Sequence, residues 1–123
     1  MPRRKDAPRV DTLGRVDRYS VFLVNGTLIR DLWEIDFTMG GGPARYPDLI
    51  PKGELWIDRD LALPDQRSTI LHEAVETRLM LDRGFSYDRG HQQANVFERA
   101  FRKAQDRPPV EQAVAEALRV LKL

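Results

Sequence analysis

The hydrophobic period of this chain changes once, near residue 65. Before that point apolar residues alternate or cluster in short runs broken by glycine and proline. After it they recur at helical spacing. Strands followed by helices, rather than the two alternating, point to an α+β fold. Tyr19 to Val24 (YSVFLV) is rich in aromatic and β-branched residues and is followed by Asn25-Gly26. Asn-Gly between two apolar runs predicts a hairpin turn with a return strand over Thr27 to Leu32. Trp33 to Thr38 (WEIDFT) and Glu54 to Asp58 (ELWID) alternate as half-buried strands do. Gly40-Gly41-Gly42 lacks the Lys-Ser/Thr of a phosphate loop and reads as a flexible turn. Pro43, Pro47 and Pro51 mark an ordered loop without ladder hydrogen bonds.

Asp65 then reads as the N-cap of a helix over about 66–83, with Gly84 as its stop. Ser86 or Asp88 caps a second helix through about 105. Pro108-Pro109 opens a third over about 110–121, whose apolar stripe is Val110, Ala113, Val114, Ala117, Leu118 and Leu121. The expected fold is therefore a small antiparallel sheet from residues 19–58 followed by three helices. It forms a single domain over 19–123, behind a flexible basic segment, 1–18.

The 123 residues suffice for one core and not two. No cysteine is present, which excludes a disulfide scaffold, a thiol nucleophile and sulfur-ligated zinc or iron. This composition suits a reducing, cytoplasmic setting. No apolar run approaches the roughly 20 residues of a membrane span, and MPRRKDAPR has no apolar stretch behind it to make a signal peptide. The net charge is +1, but Arg3, Arg4, Lys5 and Arg9 against Asp6 give the first nine residues +3, so the rest is slightly acidic. The body is therefore no nucleic-acid binder, and only the basic tail could touch phosphates.

Within the first long helix, ILHEAVETRLM places His72 and Glu76 four residues apart, on the same face one turn from each other. Such a pair can close on one metal ion. Glu73 lies about 100° around the helix from His72, where it can reach a water on that ion without ligating it. This is the logic of HExxH zinc sites, in which the glutamate is the general base. Here a carboxylate replaces the second histidine, giving HExxE. A solvated helix face is the bland alternative.

The second helix shifts the balance toward metal. In GHQQANVFERAFR, His91, Asn95, Glu98 and Arg102 form one polar stripe. Val96, Phe97, Ala100, Phe101 and Ala104 are expected on the opposite, packed side. His91 and Glu98 are about 10.5 Å apart in rise, too far to share one ion. His91 supplies the third ligand while Glu98 orients a ligand from behind, or the two exchange roles. The short connection makes the two helices antiparallel neighbours. The expected ion is Zn²⁺, with Fe²⁺ or Mn²⁺ also compatible with two imidazoles and a carboxylate. Asp17, Asp31, Asp36, Asp58 and Asp60 lack the spacing of a calcium loop, and the serines lack a triad partner.

The segment GELWID…ILHEAVETRLM…GFSYDRGHQQANVFERAFR resembles a minimal, gluzincin-like zincin metallopeptidase, and small bacterial and phage-encoded proteins with an HExxE…H…E pattern. The resemblance covers roughly residues 54–105. It implies that His72 is a metal ligand, that Glu73 is the base and that Glu54–Asp58 is the edge strand on which an extended peptide substrate pairs. It departs from zincins at Glu76, where they have histidine, and at His91, where gluzincins have glutamate. The expected function is that of a metal-dependent hydrolase acting on a peptide or protein. The alternative is a non-catalytic accessory or interaction protein with a structural or vestigial metal site.

Overall fold

A computed structural model describes residues 9–123. Its elements are β1 (Arg9–Val16), β2 (Tyr19–Val24), α1 (Gly26–Leu32), β3 (Gly40–Gly41), β4 (Glu54–Asp58), α2 (Leu63–Arg83), α3 (Tyr87–Lys103) and α4 (Val110–Val120). The class is α+β. The sheet, in the order β1-β2-β4-β3, is mixed and not antiparallel throughout: β2 runs parallel to β4, while β1 and β3 run antiparallel to their neighbours.

The mixed order follows from a different use of Asn25-Gly26. Asn25 has φ −84°, and its side chain accepts a hydrogen bond from the Leu28 amide at 3.1 Å. It caps a helix instead of turning a hairpin, because asparagine serves either role. Glycine follows because a side chain at position 26 would collide with the Asp58 carboxylate. Thr27 to Leu32 is thus helical, and the crossover it begins lets β4 join β2 in parallel. Trp33 to Thr38 is not a strand either. Trp33 and Glu34 both donate to the carbonyl of Ile29, and Arg30 takes the carbonyls of Phe37 and Thr38 at 3.2 and 3.0 Å. Backbone groups that a strand would offer to a ladder are spent on wrapping this segment around α1.

The hairpin is formed upstream, by β1 and β2, around Asp17 at φ 55°. Gly14, at φ 105°, sits at a register shift in β1 of the kind a glycine bulge produces. Residues 9–16 of the segment expected to be flexible therefore form an edge strand. Residues 1–8, with most of the basic tail, lie outside the described residues. Arg9 itself is not a free phosphate contact. It forms a two-point ion pair with Glu54, at 3.1 and 3.3 Å, and lies over the rings of Phe22 and Trp56.

The strands alternate as a sheet covered on both faces must. Tyr19, Val21, Leu55 and Ile57 face α2 and α4 and join Leu71, Ala74, Val75, Leu79, Val114 and Leu118 in the main core. Val24 and Trp56 face the other way, onto Ile29, Phe37 and Ile50. Glu54–Asp58 is interior to the sheet, because the short β3 pairs with Trp56 and Ile57 on its far side. It is therefore not the edge strand. The glycine run is an edge pressed onto α2, not a flexible turn: a Cβ at Gly40 would strike the Trp56 carbonyl and Thr69, and one at Gly42 would strike Thr77.

The central α2 begins earlier than expected, with Ala62 as N-cap and Pro64 in its first turn. Asp65 is an acidic residue of that turn and not the cap. It ends at Gly84 in the left-handed conformation, φ 67°. Ser86 caps α3 through the Arg89 amide. On α3 the buried residues are Gly90, Ala94 and Phe101, while Val96 and Ala100 are exposed, so the packed face lies beside the polar stripe and not opposite it. Among the described residues, no helix is long and apolar enough to cross a membrane.

The hairpin is tied to α2 by charge. Arg78 binds both Asp17 and Asp82, and Arg18 also binds Asp82. Burial works to raise the Asp82 carboxyl, but its hydrogen bond and charge interaction with Arg78 outweigh this and hold it below its ordinary value of 3.8. A carboxylate depressed in the folded state contributes stability above its unfolded pKa and loses it as pH falls through the folded one. Asp82→Asn should therefore cost about 0.5–1 kcal/mol at neutral pH, the scale of a solvent-screened ion pair. In urea unfolding the difference from wild type should shrink below about pH 4. A difference that stays constant down to pH 2 would show that the ion pairs are not its source.

Candidate metal centre

A run of α2 from Ser68 to Leu79 is buried, and it includes Ser68, Thr69, His72, Glu73, Glu76, Thr77 and Arg78. Polar and charged groups persist in such a place only when their hydrogen-bonding and charge requirements are met by neighbours or by a ligand. For His72 and Glu76 the neighbour is α3. A Cβ on Gly90 would lie only 3.3–3.7 Å from Met80 and Glu76, so α3 approaches α2 closely at this glycine. The next residue, His91, is thereby set against Glu76, and Glu98, two turns on, against His72. This pairing of 76 with 91 and 72 with 98 is the antiparallel arrangement that the short connection implies.

Three ligand atoms converge. His72 Nε2 is 2.9 Å from Glu76 Oε2 and 3.0 Å from His91 Nδ1, and His91 Nδ1 is 2.9 Å from Glu76 Oε2. Ligands about 2.0–2.1 Å from a tetrahedral zinc stand about 3.3 Å apart, so the triangle is already close to the size a metal needs. His72, Glu76 and His91 form a group able to hold a metal ion.

Glu98 occupies the opposite side of the His72 ring. His72 Nδ1 is 2.8 Å from Glu98 Oε1, the second Glu98 oxygen accepts from Arg102 Nε at 2.9 Å, and Arg102 Nη1 donates to Asp65 at 2.8 Å. Carboxylates thus face both ring nitrogens of His72, Glu98 at Nδ1 and Glu76 at Nε2, so that a metal ion at Nε2 would replace the proton there while Glu98 holds the proton on Nδ1. The three atoms lie within 3.0 Å of one another, a cluster that either a proton or a metal cation between them satisfies. The electrostatics agree. Burial lowers the proton affinity of His72, yet its hydrogen bond to Glu76 and the charges of Glu73, Glu76 and Glu98 overcome this and raise its pKa to about 9. A field that draws in a proton so strongly draws in a metal cation by the same attraction.

The site lies at the base of a cleft of about 370 Å³. The His72 and Glu76 side chains are 6% and 3% exposed, whereas that of His91 is 42% exposed, so the trio is closed toward the core and open toward the cleft. Glu73 lines the same cleft, and among the described residues its carboxylate accepts no hydrogen bond. Burial and the neighbouring Glu76 push it well above the usual carboxylate range, against the opposing pull of His72.

The sequence-predicted residues His72, Glu73, Glu76, His91 and Glu98 all line this cleft. Sequence reasoning missed the opposite wall: Thr38, Met39 and Gly40 at the β3 edge, and Arg45 and Tyr46 from the proline-marked loop. Nothing in the local pattern of those residues distinguishes them from ordinary loop positions. Tyr87 also lines the cleft, its ring 5.3 Å from that of His91. The scattered aspartates do not gather: Asp17 binds Arg78, and Asp58 lies 3.6 Å from Arg30.

Comparison of the chain with protein-family models, with curated proteins and with solved structures gives no match in any of the three.

Removing Glu98 leaves the three ligand atoms in place but frees the His72 ring to rotate and change tautomer. Glu98→Ala should weaken zinc affinity about 10–100-fold, as loss of a carboxylate behind a ligating histidine commonly does, while one ion is still bound at saturation. Competition with a chromophoric chelator measures this. Unchanged affinity would contradict an orienting role, and loss of the site at saturating zinc would make Glu98 a ligand.

Proposed function

We propose that the protein is a metal-dependent hydrolase of zincin-like character, acting on an amide bond of a peptide. The observation that carries this reading is the placement of Glu73 beside three converging ligands, in a cleft that leaves one side of the trio open. Three protein ligands with an open position are the arrangement of catalytic zinc sites, whereas structural sites close with four. Glu98, the available fourth ligand, is engaged by His72 Nδ1 and Arg102, which favours the enzyme reading over that of an accessory protein with a structural site.

The ion that two imidazoles and one carboxylate without sulfur suit best is Zn²⁺, with Fe²⁺ or Mn²⁺ chemically admissible. Such an ion, when bound, lowers the pKa of a coordinated water toward about 7 and polarises a carbonyl. The remaining work falls to the chain. Glu73, desolvated and raised in pKa, is suited to take a proton from water and return it to the departing amine, since a general base works best with a pKa near the working pH. Glu98 and Arg102 hold the His72 ring. The β3 edge over Thr38–Gly40 lines the cleft, so it, and not Glu54–Asp58, is the strand an extended substrate can lie against.

Two near-isosteric substitutions separate these roles. Glu73→Gln should retain the metal and the fold and lower peptide hydrolysis by about 10²–10⁴-fold, the usual contribution of a positioned base. Glu76→Gln should weaken metal binding, because a charged ligand becomes neutral. Metal content and turnover of a defined short-peptide mixture are measured on both. If Glu73→Gln lost the metal while Glu76→Gln kept it, the helix would present its ligands otherwise and the zincin analogy would fail.

A further inference from the structure

On the wall facing the trio stands a cation that the hydrolytic steps above do not use. Arg45 is half-buried and lines the cleft. Its guanidinium lies 4.4 Å from the centre of the Tyr87 ring and 5.2 Å from that of Tyr46. The Arg45 Nε is fully buried and has no hydrogen-bond partner. No carboxylate among the described residues comes within ion-pair distance of it, although Asp36, Glu73, Glu76 and Glu98 line the same cleft.

Buried arginine nitrogens normally find an acceptor, and the planar fork of a guanidinium matches a two-oxygen anion. The guanidinium stands over the Tyr46 and Tyr87 rings, where contact is cation–π, and it also acts on Tyr87 by hydrogen bond and charge; a guanidinium carries five N–H donors, more than these contacts use. Two of the cleft's carboxylates are engaged elsewhere, Glu76 with His72 and His91 and Glu98 with His72 and Arg102, and neither Asp36 nor Glu73 forms an ion pair with Arg45 among the described residues. Arg45 is thus a positive group in the cleft with no carboxylate of the described residues at ion-pair distance. At about 370 Å³, the cleft is at the small end of ligand sites, which span about 300–1,000 Å³. That size suits a small substrate better than a long chain.

We infer that Arg45 is an anion-recognising subsite and that the substrate is a small peptide presenting a free C-terminal carboxylate to it while its amide lies at the His72–Glu76–His91 trio. This deepens the hydrolase reading and rests on it. Tyr46 and Tyr87 are positioning residues, fixing the plane of the guanidinium, and Arg45 is the residue that selects the substrate's charge.

The test uses binding, so that it needs no turnover. Zinc-loaded and metal-free protein are each titrated calorimetrically with glycyl-leucine, with glycyl-leucinamide and with phenyl phosphate. Wild type should bind the acid more tightly than the amide by on the order of 10–100-fold, the usual worth of hydrogen bonds to a charged group. Arg45→Gln should remove that preference without changing zinc stoichiometry or thermal midpoint, and Arg45→Lys should restore part of it. Equal binding of acid and amide by wild type, or a preference that survives in Arg45→Gln, would overturn the inference. Arg45-dependent binding of phenyl phosphate with none of the dipeptide would overturn the carboxylate assignment. An acid-over-amide preference in metal-free protein that takes up no zinc would uphold the subsite while the hydrolase reading fell, so the two failures are distinguishable.

Discussion

The close approach of α3 to α2 at Gly90 is the contact on which the candidate centre depends. A Cβ at position 90 would already be in contact with Met80 and Glu76, so a side chain much longer than alanine would push the helices apart and withdraw His91 from Glu76 and Glu98 from His72 together. The metal trio and the charges gathered around His72 follow from that one contact between α2 and α3. The turn that makes it possible is short and strongly determined: a left-handed glycine ends α2 and a serine caps α3 two residues later.

The second constraint is the polar stripe of α2. A helix packed against a sheet and flanked by two other helices would ordinarily be apolar all round, and this one buries a histidine and two glutamates instead. On stability grounds the stripe is a cost. A bound cation would offset that cost by being ligated by His72, Glu76 and His91 at once. Glu73 stands apart from these ligands: among the described residues its carboxylate accepts no hydrogen bond, and burial with the neighbouring Glu76 raises its pKa.

The helical half of the molecule was legible in the sequence because its signals are local. The stop at Gly84, the cap at Ser86, the stripe of the last helix and the four-residue spacing of His72 and Glu76 each need only a few neighbouring residues to be read. The sheet was less legible. Asn25-Gly26 is equally good as a turn and as a helix cap, and what decides between them is Asp58, more than thirty residues away, which leaves no room for a side chain at position 26. WEIDFT alternates like a strand, but its backbone groups are claimed by α1 and Arg30. Arg9 looks like part of a solvated basic tail until Glu54, Phe22 and Trp56 are beside it. In the site, the residues on helices were found from spacing, while Arg45, Tyr46 and the β3 edge were not, since only the tertiary fold brings that wall across from α2.

The central claim is that the His72–Glu76–His91 trio holds a metal ion. It is tested most directly by elemental analysis of protein purified without a histidine tag, for wild type and for His72→Ala and His91→Ala. The account predicts about one equivalent of a divalent transition metal, with zinc the dominant element, in wild type and its loss in both variants. Metal far below one equivalent, unchanged by either substitution, would contradict it.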